Sequence, residues 1–167
     1  MLFRSAITWL VSAIGEMNPA ITPLMPVLNS PWLCLHVAIV MMSYALLAVL
    51  TLNSLLALLL CRRTHAVTLL HTLGQVILYP AVCLLAIGIF IGAVWAGMSW
   101  GRYWAWDPKE TWALITLLVY SLPLHSASLR RFGTPKFFHV YIVVAFTSVL
   151  VTYWGVNNLL GGMHSYG

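Results

Sequence analysis

LCLHVAIVMMSYALLAVLTLNSLLALLL, residues 33–60, runs for 28 residues without an Asp, Glu, Lys or Arg. A helix needs about 20 apolar residues to cross a bilayer core. The run is uniformly apolar and does not alternate, so it reads as a helix and not as a barrel strand. Three more charge-free runs follow, at 76–98, 111–128 and 137–160, of 23, 18 and 24 residues. The expected fold is therefore all-α: a polytopic membrane helix bundle of about four spans.

Composition points the same way. Of the 167 residues, 62% are hydrophobic and 7% charged, against roughly a quarter charged in a soluble domain. Eleven charged side chains cannot cover a water-facing surface of this size. A soluble enzyme, a disordered segment and a nucleic-acid module are excluded. The net charge of +5 comes from cations that punctuate the apolar runs, where they read as orientation signals. Cys34, Cys61 and Cys83 lie far apart with no CxxC, so neither a disulfide framework nor a zinc site is indicated.

Arg62 and Arg63 follow the first run, and Arg130, Arg131 and Lys136 lie between the third and fourth. The positive-inside rule puts both connections in the cytoplasm. The segment before Leu33, the loop from 99 to 110 and the tail after Leu160 then lie outside. Residues 2–15 are apolar but too short to span, and they include Arg4. A signal-peptide reading competes here, but no small-x-small cleavage site follows in register. The preferred division is an N-terminal interfacial or truncated helix with an outer linker over 1–29, marked by Pro19, Pro23 and Pro26, and a transmembrane domain over 30–167.

Chemistry concentrates in WAGMSWGRYWAWDPKETWALI, residues 95–115, which holds five of the eight tryptophans. An interfacial aromatic belt is one reading. A belt is spread over all helix ends, however, whereas Trp100, Tyr103, Trp104 and Trp106 crowd one loop. That pattern suits a flat apolar platform for a large planar ligand, and on residue chemistry alone the two readings stand even. Asp107, Pro108 and Glu110 have the spacing of a helix start, with Asp107 as N-cap and Glu110 closing a capping box. Capping is the main expected job of both carboxylates, and no residue is nominated as catalytic.

Six histidines are many for a chain with so few charges. By topology His36 and His164 flank the tryptophan loop on the outer side. His65 and His71 fall in or near the first inner loop, with His125 and His139 towards the inner ends of the third and fourth spans. Snorkelling or an ordinary hydrogen bond accounts for His65, His71 and His139. Polar groups inside a membrane usually face a partner or a cavity. Two imidazoles meeting at an aromatic platform would supply both axial ligands of a haem iron. Arg102 and Lys109 would suit its anionic propionates.

WGRYWAWDPKETWALI at 100–115 resembles the WWD signature of cytochrome c biogenesis haem-handling proteins, and its continuation is most similar to the CcsA/ResC branch of System II. SPWLCLHV at 30–37 and WGVNNLLGGMHSYG at 154–167 agree with it. The resemblance covers about residues 18–167. It implies that haem b, as a transient substrate, passes from the inner side to an outer site for thioether attachment to an apocytochrome c carrying CxxCH. It also implies a CcsB/ResB-type membrane partner, a bacterial inner-membrane location and a haem lyase activity shared with that partner. His36 and His164 match the family's outer iron ligands, and His125 its intramembrane histidine for haem entry. Trp100, Arg102, Tyr103, Trp104, Trp106 and Asp107 fall in the segment that holds the porphyrin. Members of the family are usually longer, with more helices before the one bearing His36, so this chain reads as a truncated, split or partner-dependent form. Two rival classes remain: a membrane subunit with permanently bound b-type haem, and a polytopic transporter or structural subunit, the transporter reading drawing on Pro80 and Pro123 as helix breaks.

Overall fold

The computed structural model describes residues 30–156. Within them lie four α-helices: α1, Pro31–Leu59; α2, Thr64–Trp100; α3, Pro108–Ser121; and α4, Pro135–Leu150. Short 3₁₀ turns occupy Leu122–His125 and Arg130–Gly133, and α4 runs on into a π-helical turn, Val151–Gly155. No strand occurs among the described residues.

Three helical stretches, Pro31–Leu59, Thr64–Trp100 and Pro135–Gly155, are long and apolar enough to cross a membrane. The third expected span, 111–128, is shorter as an α-helix than its sequence suggests. It begins at Pro108 and stops at Ser121, because Pro123 cannot donate the next backbone bond. The 3₁₀ turn that follows is more extended per residue. At about 1.5 and 2.0 Å per residue the two pieces add to about 29 Å, close to the thickness of a hydrocarbon core.

The second span is corrected in the other direction. It begins at Thr64, twelve residues before the expected start at 76. The polar density of THAVTLLHTLGQ imitates a loop, yet the stretch has no Asp, Glu, Lys or Arg. His65 and His71 therefore sit on α2 and not in a loop.

Contacts between helices give the topology. Between α1 and α2, His36 meets Gly88, Ser43 meets Ala81 and Asn53 meets Leu70. As one number rises the other falls, so the pair is antiparallel. Between α3 and α4, Tyr141 donates to the Val119 carbonyl and Thr152 to that of Trp112, again antiparallel. Ser54 on α1 meets His139 on α4. The result is an up-down bundle. One end carries the start of α1, the 101–107 loop and the π turn. The other carries Arg62, Arg63, Arg130, Arg131 and Lys136.

The core is built from Leu47 and Leu50 of α1, Leu78, Ala81 and Val82 of α2, Tyr120 of α3, and Phe138, Ile142, Ala145 and Val149 of α4. Small residues let the helices approach closely, as is common in membrane bundles. A Cβ at Gly88 would stand 2.6 Å from Val40 Cγ2, and one at Gly74 would stand 2.9 Å from Phe138 Cε1. Outward positions are apolar too: Leu52 is 65% exposed, Phe90 74% and Val144 62%. Such surfaces are stable against lipid tails and not against water.

Candidate functional site: an aromatic cleft at one end of the bundle

At the end away from the basic loops, α1, α2, α3 and the π turn part to leave a cleft. Its cavity volume is ≈ 250 Å³, just below the range of about 300–1,000 Å³ usual for ligand sites. Val40, Leu85 and Ile89 give it apolar walls. Trp95, Tyr103 and Trp104 give it aromatic ones, and Lys109 and Glu110 lie on its lining.

His36 enters the cleft from the second turn of α1. Its Nδ1 lies 2.8 Å from the Gly88 carbonyl oxygen. A carbonyl only accepts, so Nδ1 carries the hydrogen and the imidazole lone pair resides on Nε2. Metal-ligating histidines characteristically donate the other ring N–H in this way. Gly92, one turn further along α2, leaves the space for the ring. A Cβ there would stand 2.6 Å from His36 Cε1 and 2.7 Å from Nδ1. Gly88 and Gly92 thus seat the imidazole: one carbonyl orients it and one missing side chain makes room.

The loop is shaped at both ends. Gly101 closes α2 in the left-handed region, at φ 70°, which costs glycine little. Asp107 caps α3. Its carboxylate accepts from the Lys109 backbone N–H at 2.9 Å. Glu110 Oε2 accepts from the backbone N–H groups of Asp107 at 3.2 Å and Ala105 at 2.8 Å. The expected capping box is present, and both carboxylates also sit where the helix dipole favours negative charge. Between the two ends Trp106 takes φ 57°, a left-handed conformation that costs a bulky residue about 1–2 kcal/mol. Trp104 and Trp106 meet edge to face at 5.9 Å, and Trp95 and Trp100 at 6.2 Å.

Of the residues singled out in the sequence, the cleft brings together His36, Tyr103, Trp104, Lys109 and Glu110. Tyr103 also covers Gly97, where a Cβ would stand 2.5 Å from its ring. Trp100, Arg102 and Trp106 are exposed beside the cleft and outside its lining, and Asp107 is buried in its cap. His125 lies at the opposite end, exposed, with Nδ1–H donating to the Ser121 carbonyl at 3.0 Å. His164 lies outside the described residues, as does the segment 1–29. His139 does not snorkel: it is 1% exposed. His71 is part-buried beside it, the rings 5.8 Å apart.

The sequence reading missed the polar floor of the cleft. Tyr44 and Thr152 line it. Thr152 Oγ1 lies 3.0 Å from Thr116 Oγ1 and within bonding distance of the Ser148 and Trp112 carbonyls. The π turn wraps the chain one residue wider here, a feature frequent at functional sites. Threonines inside an apolar run gave the signal, but nothing in their spacing marked the π turn.

These features define a polytopic membrane protein with an aromatic, histidine-bearing cleft at one rim. The chain belongs to the cytochrome c assembly protein family, which it matches over residues 1–164. It is 44% identical to Protein NrfI of Wolinella succinogenes over 161 residues, 92% of this chain and 18% of that protein. It is 40% identical to the cytochrome c biogenesis protein CcsA of Chlamydomonas reinhardtii, over 91% of this chain and 45% of the relative. The CcsA of Parasynechococcus marenigrum is 36% identical, over 93% and 61%. The chain thus spans from under a fifth to about three fifths of the length of these relatives.

Proposed function

We propose that the cleft receives haem b as a transient substrate and presents it, at the non-cytoplasmic membrane face, for attachment to an apocytochrome c. The observation that carries this reading is the His36 Nδ1–Gly88 carbonyl bond, which makes Nε2 the ring nitrogen able to ligate a metal, beside a cleft lined by Tyr103 and Trp104. His36 is the axial ligand on one face of the iron. His164 is the ligand on the other. It is the eighth residue after Val156, at the cleft end of the bundle, and a chain of that length reaches up to about 28 Å.

In this reading the chain does no covalent chemistry itself. A CxxCH thiol adds across a haem vinyl group: sulfur bonds one vinyl carbon, hydrogen ends on the other, and nothing leaves. The gain comes from proximity and orientation. The aromatic walls hold the macrocycle, while Lys109 and Arg102 attract its propionates. His125, exposed at the basic end, fits a role where haem enters. A CcsB/ResB-type subunit is the proposed membrane partner, and the similarity to cytochrome c biogenesis proteins CcsA supports the maturation setting.

The test is a His36→Ala, His164→Ala double variant of the purified protein. The expected result is loss of the Soret band and no maturation of a co-expressed CxxCH apoprotein. Full haem retention in that variant overturns the assignment.

A further inference from the structure

The proposed function leaves unused a polar cluster buried towards the basic end of the bundle. His71 of α2, His139 of α4 and Ser54 of α1 lie about 6–10 Å inside their helix ends, at about 1.5 Å per residue. His139 is 1% exposed. Its Nδ1 shares a 3.1 Å hydrogen bond with Ser54 Oγ. Its Nε2 and the Nδ1 of His71 are both buried without a hydrogen-bond partner. Two such orphans on neighbouring rings are unusual, because buried polar atoms are nearly always satisfied. Phe138 packs edge-on against both rings, at 4.8 and 5.3 Å, and makes the surroundings apolar.

The ring spacing indicates what the pair can hold. The imidazoles stand 5.8 Å apart, centre to centre, with planes at 83°. A metal–nitrogen bond is about 2.0–2.1 Å, and a ring nitrogen lies about 1.1 Å from its centre. Two imidazoles on one ion are then about 5 Å apart at a tetrahedral angle and about 6.3 Å apart in line. The observed spacing falls between. In the loaded form His139 Nδ1–H donates to Ser54 Oγ, the outer hydrogen bond that orients a ligating histidine.

Charge narrows the choice of ion. The described carboxylates, Asp107 and Glu110, are both at the far end of the bundle. Two neutral nitrogens in an apolar shell leave a divalent cation uncompensated, and buried charge of that kind is expensive. No group of three or more His, Cys, Asp or Glu side chains is placed to hold a metal among the described residues, whereas zinc takes three or four protein ligands. We propose that His71 and His139 form a two-imidazole site for a monovalent, low-coordinate d¹⁰ ion, the cuprous ion.

The test uses the full, untagged chain in detergent, with Cys34, Cys61 and Cys83 changed to Ser so that exposed thiols do not compete. Cu(I) is titrated under reductant against a chromogenic chelator. The expected result is one ion that persists in His65→Gln and His125→Gln and disappears in His71→Gln, His139→Gln, with an X-ray absorption edge of low-coordinate Cu(I) bound by nitrogen. Ser54→Ala is expected to weaken binding tenfold to a hundredfold. If His139→Gln does not fold, His139→Met decides: a thioether keeps a soft ligand, so Cu(I) binding is retained. Binding unchanged in the double Gln variant, no Cu(I) bound, or Zn(II) bound as tightly as Cu(I) each overturn the proposal.

Discussion

At the scale of single residues, the cleft depends on one absent side chain. Gly92 faces the His36 ring so closely that an added Cβ would stand 2.6 Å from it. The ring is also tied to the Gly88 carbonyl, so it cannot yield without losing that bond. Overpacking of this kind costs about 1–3 kcal/mol. Gly92→Ala is expected to keep its helicity and to lose haem retention by tenfold or more, read from the Soret band after a detergent wash. Gly133→Ala, where nothing lies within 4 Å, is the inert comparison. Trp106 makes the opposite case. Its left-handed backbone is strained, and strain of this sort gathers at functional sites. Trp106→Gly is expected to leave the melting temperature unchanged or raise it by relieving about 1–2 kcal/mol, while haem retention falls. A drop in both measurements would mean that the indole, 70% exposed, packs rather than binds.

At the scale of elements, the loop is positioned by the first turn of α3. Glu110 alone satisfies two backbone donors, at Ala105 and Asp107. Removing it is expected to cost about 1–3 kcal/mol, the range for a cap and for hydrogen bonds to a charged acceptor. Glu110→Ala should lower the melting temperature and shift tryptophan emission to the red as Trp104 loses its seat, with Glu110→Gln intermediate. This element was legible in the sequence, because Asp-Pro-Lys-Glu encodes its cap within four residues. The π turn was not: it arises where α4 closes over α3, and Thr152 bonds Thr116 across 36 residues of chain. The start of α2 was misplaced for a related reason. The stretch 64–75 is helical although polar, since Thr68 donates to the Thr64 carbonyl within the helix and Asn53 of α1 donates to the Leu70 carbonyl. His71 consequently moved from loop to interior.

At the scale of the whole molecule, the helical bundle, the antiparallel run of its helices and the meeting of His36 with the tryptophan loop followed from where charges interrupt apolar runs. The depth of His71 and His139 did not, since burial on a lipid-covered helix is set by neighbours and not by hydropathy. The orientation itself rests on five cations. Arg62, Arg63, Arg130, Arg131 and Lys136 gather at one end, and such clusters favour the cytoplasmic side. The cleft end also bears Arg102 and Lys109, so among the described residues the bias is five against two. It can be read with thiols. Cys61 is exposed beside Arg62, and Arg102 is exposed beside the cleft. In intact cells a membrane-impermeant maleimide is expected to label Arg102→Cys, in a background lacking Cys34, Cys61 and Cys83. Native Cys61, as the lone cysteine, should react only after permeabilisation. The reverse pattern would put the aromatic cleft in the cytoplasm, on the wrong side of the membrane for an apocytochrome matured outside, and the presentation role would fall with it.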